Sequence, residues 1–434
     1  MHKPRLVIFD MDGLMFDTEK VGSRLHKKAA KEFGYTITDE LLLSLIGGNM
    51  VRNTQILMDT FGKDYPIDAI REKLREYREE DFRQNGLGIK EGLVELIDYL
   101  KQERIKIAIA SSSNREVIER YLKMSHLENR FDYIVSGDKV THSKPHPEIF
   151  LHVCEHFNVE VQDALVLEDS KNGILAAHAG NIPVICVPDL IYHDKEVFEL
   201  TLATVPSLLN VIDILKGIKP QLAIFDMDGL MFDTERLCIE PLIKAHQKYG
   251  YPMTEEMCFK TIGTSGKIAK EILTQEFGPD YDYETVDKEA YQLLRDAIKE
   301  HGLPMKKGLI KLLECLKALH IPCVIASSSK ISTIRYYLEL SHTAHYFKEI
   351  VGGDMVKASK PEPDVFIKAC ELFGVEPHHA LVLEDSKNGI IASTRANIPV
   401  ICVPDLLMHN QEILNLSTLF TSDLNKVAHI VRGE

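Results

Sequence analysis

Phe9-Asp10-Met11-Asp12-Gly13-Leu14-Met15-Phe16-Asp17-Thr18 is repeated residue for residue as Phe225 to Thr234, 216 positions further on. The same offset relates Ser111-Ser112-Ser113 to Ser327-Ser328-Ser329, Ser143-Lys144-Pro145 to Ser359-Lys360-Pro361, and Leu167-Glu168-Asp169-Ser170 to Leu383-Glu384-Asp385-Ser386. No gap is needed to align the halves, and about two-fifths of the paired positions are identical, a self-similarity that takes precedence over other sequence signals. The 434-residue chain therefore reads as two copies of one unit, residues 1–217 and 218–434, each within the usual size of a domain. The short seam near Lys216 to Pro220 predicts that the two units touch.

Around the repeated string the pattern is that of an α/β protein. Arg5 to Phe9 is a short apolar run ending at Asp10, and similar runs lie at Ile105–Ala110, Tyr133–Val135, Ala164–Leu167 and Pro183–Val187. Amphipathic stretches of helical length separate them: Gly92–Glu103, Arg115–Met124 and Pro147–Phe157. Such alternation predicts a Rossmann-like parallel sheet covered by helices on both faces, with ligands bound beyond the carboxyl ends of its strands. Asp10, Ser111 and Asp169 all fall at or just past such ends. Residues from about 19 to 86 (and 235 to 302) break this rhythm with helical runs interrupted by Gly34, Gly47-Gly48 and Gly62, predicting a small α-helical insert after the first strand. Here the copies diverge most: between Pro66–Asn85 and Asp282–His301 no paired position is identical.

A formal charge of −14 argues against a nucleic-acid or anionic-membrane surface. The start of the chain lacks the apolar length of a signal peptide, and no apolar run is long enough to span a bilayer, which needs about 18 residues. A cytoplasmic location is expected. The eight cysteines form no CxxC pair or zinc-type spacing, so Cys154, Cys186, Cys370 and Cys402 read as small buried hydrophobes.

Asp10 and Asp12, two apart at a strand end, lean toward one face. Two carboxylates so close favour a cation or a shared proton and suit a nucleophile beside a general acid/base, although an acidic turn has the same composition. The spacing does not fit an EF-hand. The serines at 111–113 offer hydroxyls and N–H groups to an anion, or simply cap the helix from Arg115. Lys144, on a loop stiffened by Pro145 and Pro147, is either a phosphate ligand or a surface charge. His142 and His146 read as surface residues, because Pro145 forbids a helical pairing. Glu168-Asp169 supply hard oxygen ligands or an acidic helix cap, and in the second case Asn172-Gly173 is no more than a turn.

Taken in this order and repeated in register, the motifs resemble those of the haloacid dehalogenase superfamily: Asp10-Met11-Asp12-Gly13 through Asp17-Thr18-Glu19, then Ser111-Ser112, Lys144 and Glu168-Asp169. The second copy supplies Asp226-Met227-Asp228-Gly229, Ser327-Ser328, Lys360 and Glu384-Asp385. The insert is similar to the helical cap of the phosphoglucomutase-like subfamily. The resemblance implies that Asp10 (Asp226) attacks phosphorus, that Asp12 (Asp228) protonates the leaving oxygen and then activates water, and that Ser111, Ser112 and Lys144 (Ser327, Ser328, Lys360) hold the phosphoryl oxygens. It further implies Mg2+ on Asp10, the Asp12 carbonyl and Asp169 (Asp226, Asp228, Asp385), with Glu168 (Glu384) in support. Mutases of this type carry a His four residues after the motif's Thr. Gly22 and Cys238 stand there instead, so the expected reaction is hydrolysis of a small phosphorylated metabolite, sugar phosphate-like, at two sites per chain. Near the Gly47-Gly48 segment the family's cap places a substrate loop, which makes Arg52 and Lys267 candidate substrate ligands and predicts different preferences for the two sites.

Overall fold

The computed structural model describes residues 3–45, 50–190, 193–262, 266–406 and 408–433. The chain divides between Lys216 and Gly217 into two compact units, one residue from the seam expected from sequence. In the first unit, β1 (Leu6–Phe9), β2 (Lys106–Ser111), β3 (Tyr133–Ser136), β4 (Ala164–Glu168), β5 (Val184–Cys186) and β6 (Ala203–Thr204) form a parallel sheet in the order β3-β2-β1-β4-β5-β6. The second unit repeats it with β7 (Leu222–Phe225), β8 (Cys323–Ala326), β9 (Phe347–Val351), β10 (Ala380–Glu384), β11 (Val400–Cys402) and β12 (Leu419–Phe420), in the order β9-β8-β7-β10-β11-β12.

The central strand is apolar throughout because both its faces are covered. Leu6, Val7, Ile8 and Phe9 have no exposed surface, as expected for a parallel sheet between helical layers. Full burial of a side chain such as Phe9 contributes about 1.5–3 kcal/mol. Leu6 and Ile8 pack with Phe150 and Val153 from the helix Glu148–Phe157 and with Ile174 and Ala177 from Lys171–Ala179. The four cysteines singled out above are buried and unpaired.

Among the described residues the insert holds four helices in each unit: Thr18–Glu32, Asp39–Leu45, Met50–Phe61 and Ile67–Asn85 in the first, and Thr234–Lys248, Glu255–Thr261, Gly266–Phe277 and Tyr283–His301 in the second. Each set has an apolar core of its own, around Ala29, Leu42, Leu57 and Ile70 in one and Ala245, Cys258, Leu273 and Val286 in the other. The chain enters and leaves the insert through a narrow pair of extended segments: Asp17 N–H donates to Gly88 O at 3.0 Å and Lys90 N–H to Met15 O at 3.0 Å. No helix among the described residues is long and apolar enough to cross a membrane.

Candidate active site

Asp10 leaves the end of β1, next to β2 on one side and β4 on the other. The sheet order reverses direction at this strand, which opens a crevice at the carboxyl edge. Ser111 closes β2, and Asp169 follows Glu168 at the end of β4. The loop carrying Lys144 brings its ammonium to the same point. Its Nζ donates to Asp10 Oδ1, to Glu168 Oε1 at 2.6 Å and to Ala110 O at 3.2 Å, over the Phe150 ring at 4.7 Å from the centroid. In the second unit Lys360 donates to Asp226 and, at 2.7 Å, to Glu384 Oε1. The peptide bond before Pro145, and that before Pro361, is cis. Lys144 is therefore the site lysine and not a surface charge.

Glu168 has no exposed surface and little spare capacity. Its Oε2 accepts from the N–H groups of Asp169 (3.0 Å) and Ser170 (2.9 Å) and from Ser170 Oγ (2.9 Å), while Oε1 takes the lysine. Gly173 is more than a turn residue: a Cβ there would lie 1.7 Å from Glu168 Oε1. Ser170 caps the helix Lys171–Ala179 by accepting from Gly173 N–H at 3.1 Å, which leaves Asp169 free for the crevice. Gly13 serves the opposite edge. Its φ of +81° makes the turn after Asp12, and a Cβ on it would lie 2.1 Å from Asp169 Oδ2, so only glycine lets that carboxylate reach the main chain after Asp12.

Asp10, Glu168 and Asp169 are buried, with ligand oxygens within 4.8 Å of one another, and Asp226, Glu384 and Asp385 form the same group. Burial pushes Asp10 up to about 7 against the pull of Lys144, and burial, Glu168 and Asp10 together push Asp169 well above the carboxylate range. One lysine does not offset this charge. In the second unit Asp385 Oδ1 is buried without a hydrogen-bond partner. Hard, crowded carboxylate oxygens fit a divalent cation of the Mg2+ type.

Asp12 lies beside this group, and its side chain is held by the third serine of the run at the end of β2, which the sequence offered to an anion and not to this carboxylate. Ser113 Oγ donates to Asp12 Oδ2 at 2.8 Å, and Ser329 Oγ to Asp228 Oδ2 at 2.8 Å. Asp228 also accepts from Thr234 Oγ1 at 2.8 Å, and burial raises its carboxyl. The serine run does not cap the next helix, since Asn114 occupies the cap position. Ser111 is buried, its Oγ accepting from Ser113 N–H at 3.0 Å, whereas Ser112 is exposed.

Other features were missed as well. Lys90 joins Asp189 (2.5 Å) to Asp17 (3.1 Å), pinning both crossings of the insert to the loop after β5, and Lys306 does the same with Asp405 and Asp233. His193 and His409 each place Nε2 2.6 Å from the carbonyl oxygen of Asp169 or Asp385. The available signal was exact repetition: Asn181 to Leu190 recurs unchanged as Asn397 to Leu406. His142 and His146 are exposed, as expected, but the loop gathers them with Glu148, ring nitrogens and carboxylate within 4.8 Å. Glu148 Oε1 and Oε2 already accept from the N–H groups of Thr141 and His142. Of the two cap candidates, Lys267 lines the cavity of the second site. Arg52 is exposed, and it is the next residue, Asn53, that lines the first unit's cavity. Most of the Gly47-Gly48 segment, with its counterpart at 263–265, lies outside the described residues.

A parallel sheet with buried carboxylates and one lysine at its carboxyl edge defines a Rossmann-like enzyme. A model of the haloacid dehalogenase-like hydrolases matches residues 7–187 and again 223–403, and the chain belongs to that family. A phosphorylated carbohydrates phosphatase of Thermotoga maritima is 35% identical over 177 residues, covering 41% of this chain and 81% of its own. Hexitol phosphatase B of Escherichia coli is 28% identical over 195 residues, covering 43% of this chain and 86% of its own. A Thermotoga maritima crystal structure provisionally assigned as a beta-phosphoglucomutase is 30% identical, matching 98% of its chain to 49% of this one with a TM-score of 0.43.

Proposed function

We propose that each unit is a Mg2+-dependent phosphomonoesterase for small phosphorylated carbohydrates, working through a phosphoaspartate on Asp10 in the first unit and on Asp226 in the second. The observation that carries this reading is the buried lysine held between the first aspartate and a glutamate, with a further aspartate converging on the same carboxylates, in both units. Asp10, Asp169 and the Asp12 main-chain carbonyl would hold the cation in the first unit. When bound, the cation supplies positive charge that lets an anionic phosphate approach an anionic nucleophile.

The chain's own residues do the rest. Lys144 draws phosphoryl oxygens toward Asp10, and Ser111 and Ser112 add donors at the end of β2. Asp12, steadied by Ser113, gives its proton to the leaving alcohol as the Asp10–phosphorus bond forms. It then takes a proton from water, whose oxygen attacks phosphorus and releases Asp10. Closure of the helical insert as a cap keeps bulk water from the phosphoaspartate until the alcohol has left. Gly22 and Cys238 carry no group able to couple closure to the acid in the manner of a mutase, which favours water as the acceptor. The names of the two phosphatase relatives support the carbohydrate class.

The test is hydrolysis of p-nitrophenyl phosphate by the intact chain and by Asp10→Asn, Asp226→Asn and the double variant. Each single variant is expected to keep the other site's activity, and the double to fall by at least ~10³-fold. EDTA should abolish turnover and Mg2+ restore it without change in the far-ultraviolet circular dichroism. Full activity in the double variant would refute the assignment.

A further inference from the structure

The two units present the same acids and lysine, yet the walls opposite them differ in charge. In the second unit a cavity of about 470 Å3 runs from Asp226, Asp228 and Lys360 to Cys238, Leu294 and Tyr337. Apart from the conserved-in-repeat acids and Lys360, the charged group lining it is Lys267. In the first unit the positions of Cys238 and Leu294 are Gly22 and Arg78. The exchange is matched in size: a Cβ built on Gly22 would lie 3.8 Å from Arg78 Nη2, so the guanidinium fills room beside Gly22. The charge of Arg78 also acts on the Tyr121 hydroxyl, the counterpart of Tyr337, and on the Glu19 carboxyl.

Within the insert a cavity of about 340 Å3 is lined by Glu19, Gly22, His26, Asn53, Arg71 and Arg78, together with apolar side chains such as Leu57 and Ile70. Their counterparts in the second unit, for Arg71, His26 and Asn53, are Asp287, Leu242 and Ala269. Arg71 donates to Thr54 Oγ1 at 2.7 Å and lies 3.7 Å from Asp68, whose side chain is 94% exposed. Arg78 is half-buried and forms no ion pair among the described residues. A planar guanidinium so placed suits a phosphate or carboxylate, which it can hold in bidentate fashion. In the second unit Cys238 and Leu294 stand at these positions and leave Lys267, a point charge without the planar fork of a guanidinium, as the cation lining the cavity besides Lys360.

We propose that the first unit prefers phosphate esters whose alcohol carries a second anionic group, held by Arg78 with Arg71 beyond it, and that the second unit, with Lys267 in place of the guanidinium, selects for them less strongly. This division of labour rests on the reading of both units as phosphatases, and it assigns the choice of substrate to the helix Ile67–Asn85 and its counterpart Tyr283–His301.

The test uses the full chain with one site silenced. Asp226→Asn, which leaves the first site, and Asp10→Asn, which leaves the second, are assayed with Mg2+ on a hexose bisphosphate, a phosphorylated hydroxy acid, a hexose monophosphate and p-nitrophenyl phosphate. The first site is expected to favour the doubly anionic esters over the monophosphate by about tenfold or more in kcat/KM, the scale of a hydrogen bond to a charged group, and the second to show a clearly smaller ratio. The bisphosphate and hydroxy-acid arms tell which second anion is preferred. Arg78→Leu should shrink the first site's preference ratio, a quantity insensitive to the fraction of folded enzyme. The pair Cys238→Gly with Leu294→Arg should raise the second site's ratio. Equal ratios at the two sites, or a ratio unmoved by both exchanges, would overturn the inference while leaving the phosphatase reading intact. Absence of turnover of any ester by either silenced chain would overturn both.

Discussion

Lys144 shows how one side chain joins stability to chemistry. Its ammonium is buried between Asp10 and Glu168, and taking it away strands two carboxylates in a poorly solvated crevice. Removing one partner of a buried pair costs about 3–5 kcal/mol. Lys144→Met is therefore expected to destabilise the first unit by that order in urea unfolding, and to abolish the turnover left in an Asp226→Asn background. Glu168 makes the same point from the other side. Four hydrogen bonds occupy its two oxygens, so its part is to fix the lysine and the turn carrying Asp169. These residues were legible because an Asp, Lys or Glu at the end of an apolar run has few reasons to recur 216 positions later. Ser113 was not, because a third serine in a row looks redundant until the second aspartate is seen to turn toward it.

At the scale of elements, the two helical inserts differ most where their sequences do. His246 is buried in the second, with Nδ1 2.7 Å from Leu242 O and Nε2 2.7 Å from the Tyr281 hydroxyl; the paired position in the first is Ala30. Burial holds the folded-state pKa of His246 below its ordinary value, outweighing the pull of the Leu242 carbonyl. The unfolded chain thus binds the proton more readily, so this contribution to stability is intact above the unfolded pKa of about 6.5 and declines as pH falls below it. The protection of amides in Tyr283–His301, taken relative to their intrinsic exchange rate, is expected to fall between pH 7 and 5.5, and His246→Ala should remove that fall in protection. Strands and main helices were readable from apolar runs and helical spacing, with Arg115–Met124 matching to the residue. The two-residue strands β6 and β12 were not, because so short a segment has no alternation to read. The insert's helices were visible as a group through their glycine breaks, but the specificity-bearing Arg71 and Arg78 fall in a stretch where repetition offers no guide.

For the whole molecule, duplication means two complete sets of chemical groups on one chain, each placed at the strand ends of its own unit. If the sites divide their substrates by charge, a hexose bisphosphate and a hexose monophosphate supplied together at saturation should be consumed at rates that add. Following each released sugar separately would check this, and strong mutual inhibition would point to a shared site.

The ammonium caged by two carboxylates has a corollary for working conditions. Although burial opposes its charge, Asp10 and Glu168 hold Lys144 above the usual lysine range, and Asp226 and Glu384 do the same for Lys360. The cation that greets an incoming phosphate thus persists through any alkalinity the enzyme would ordinarily meet. A decline in rate in mildly basic solution must then be sought in another group.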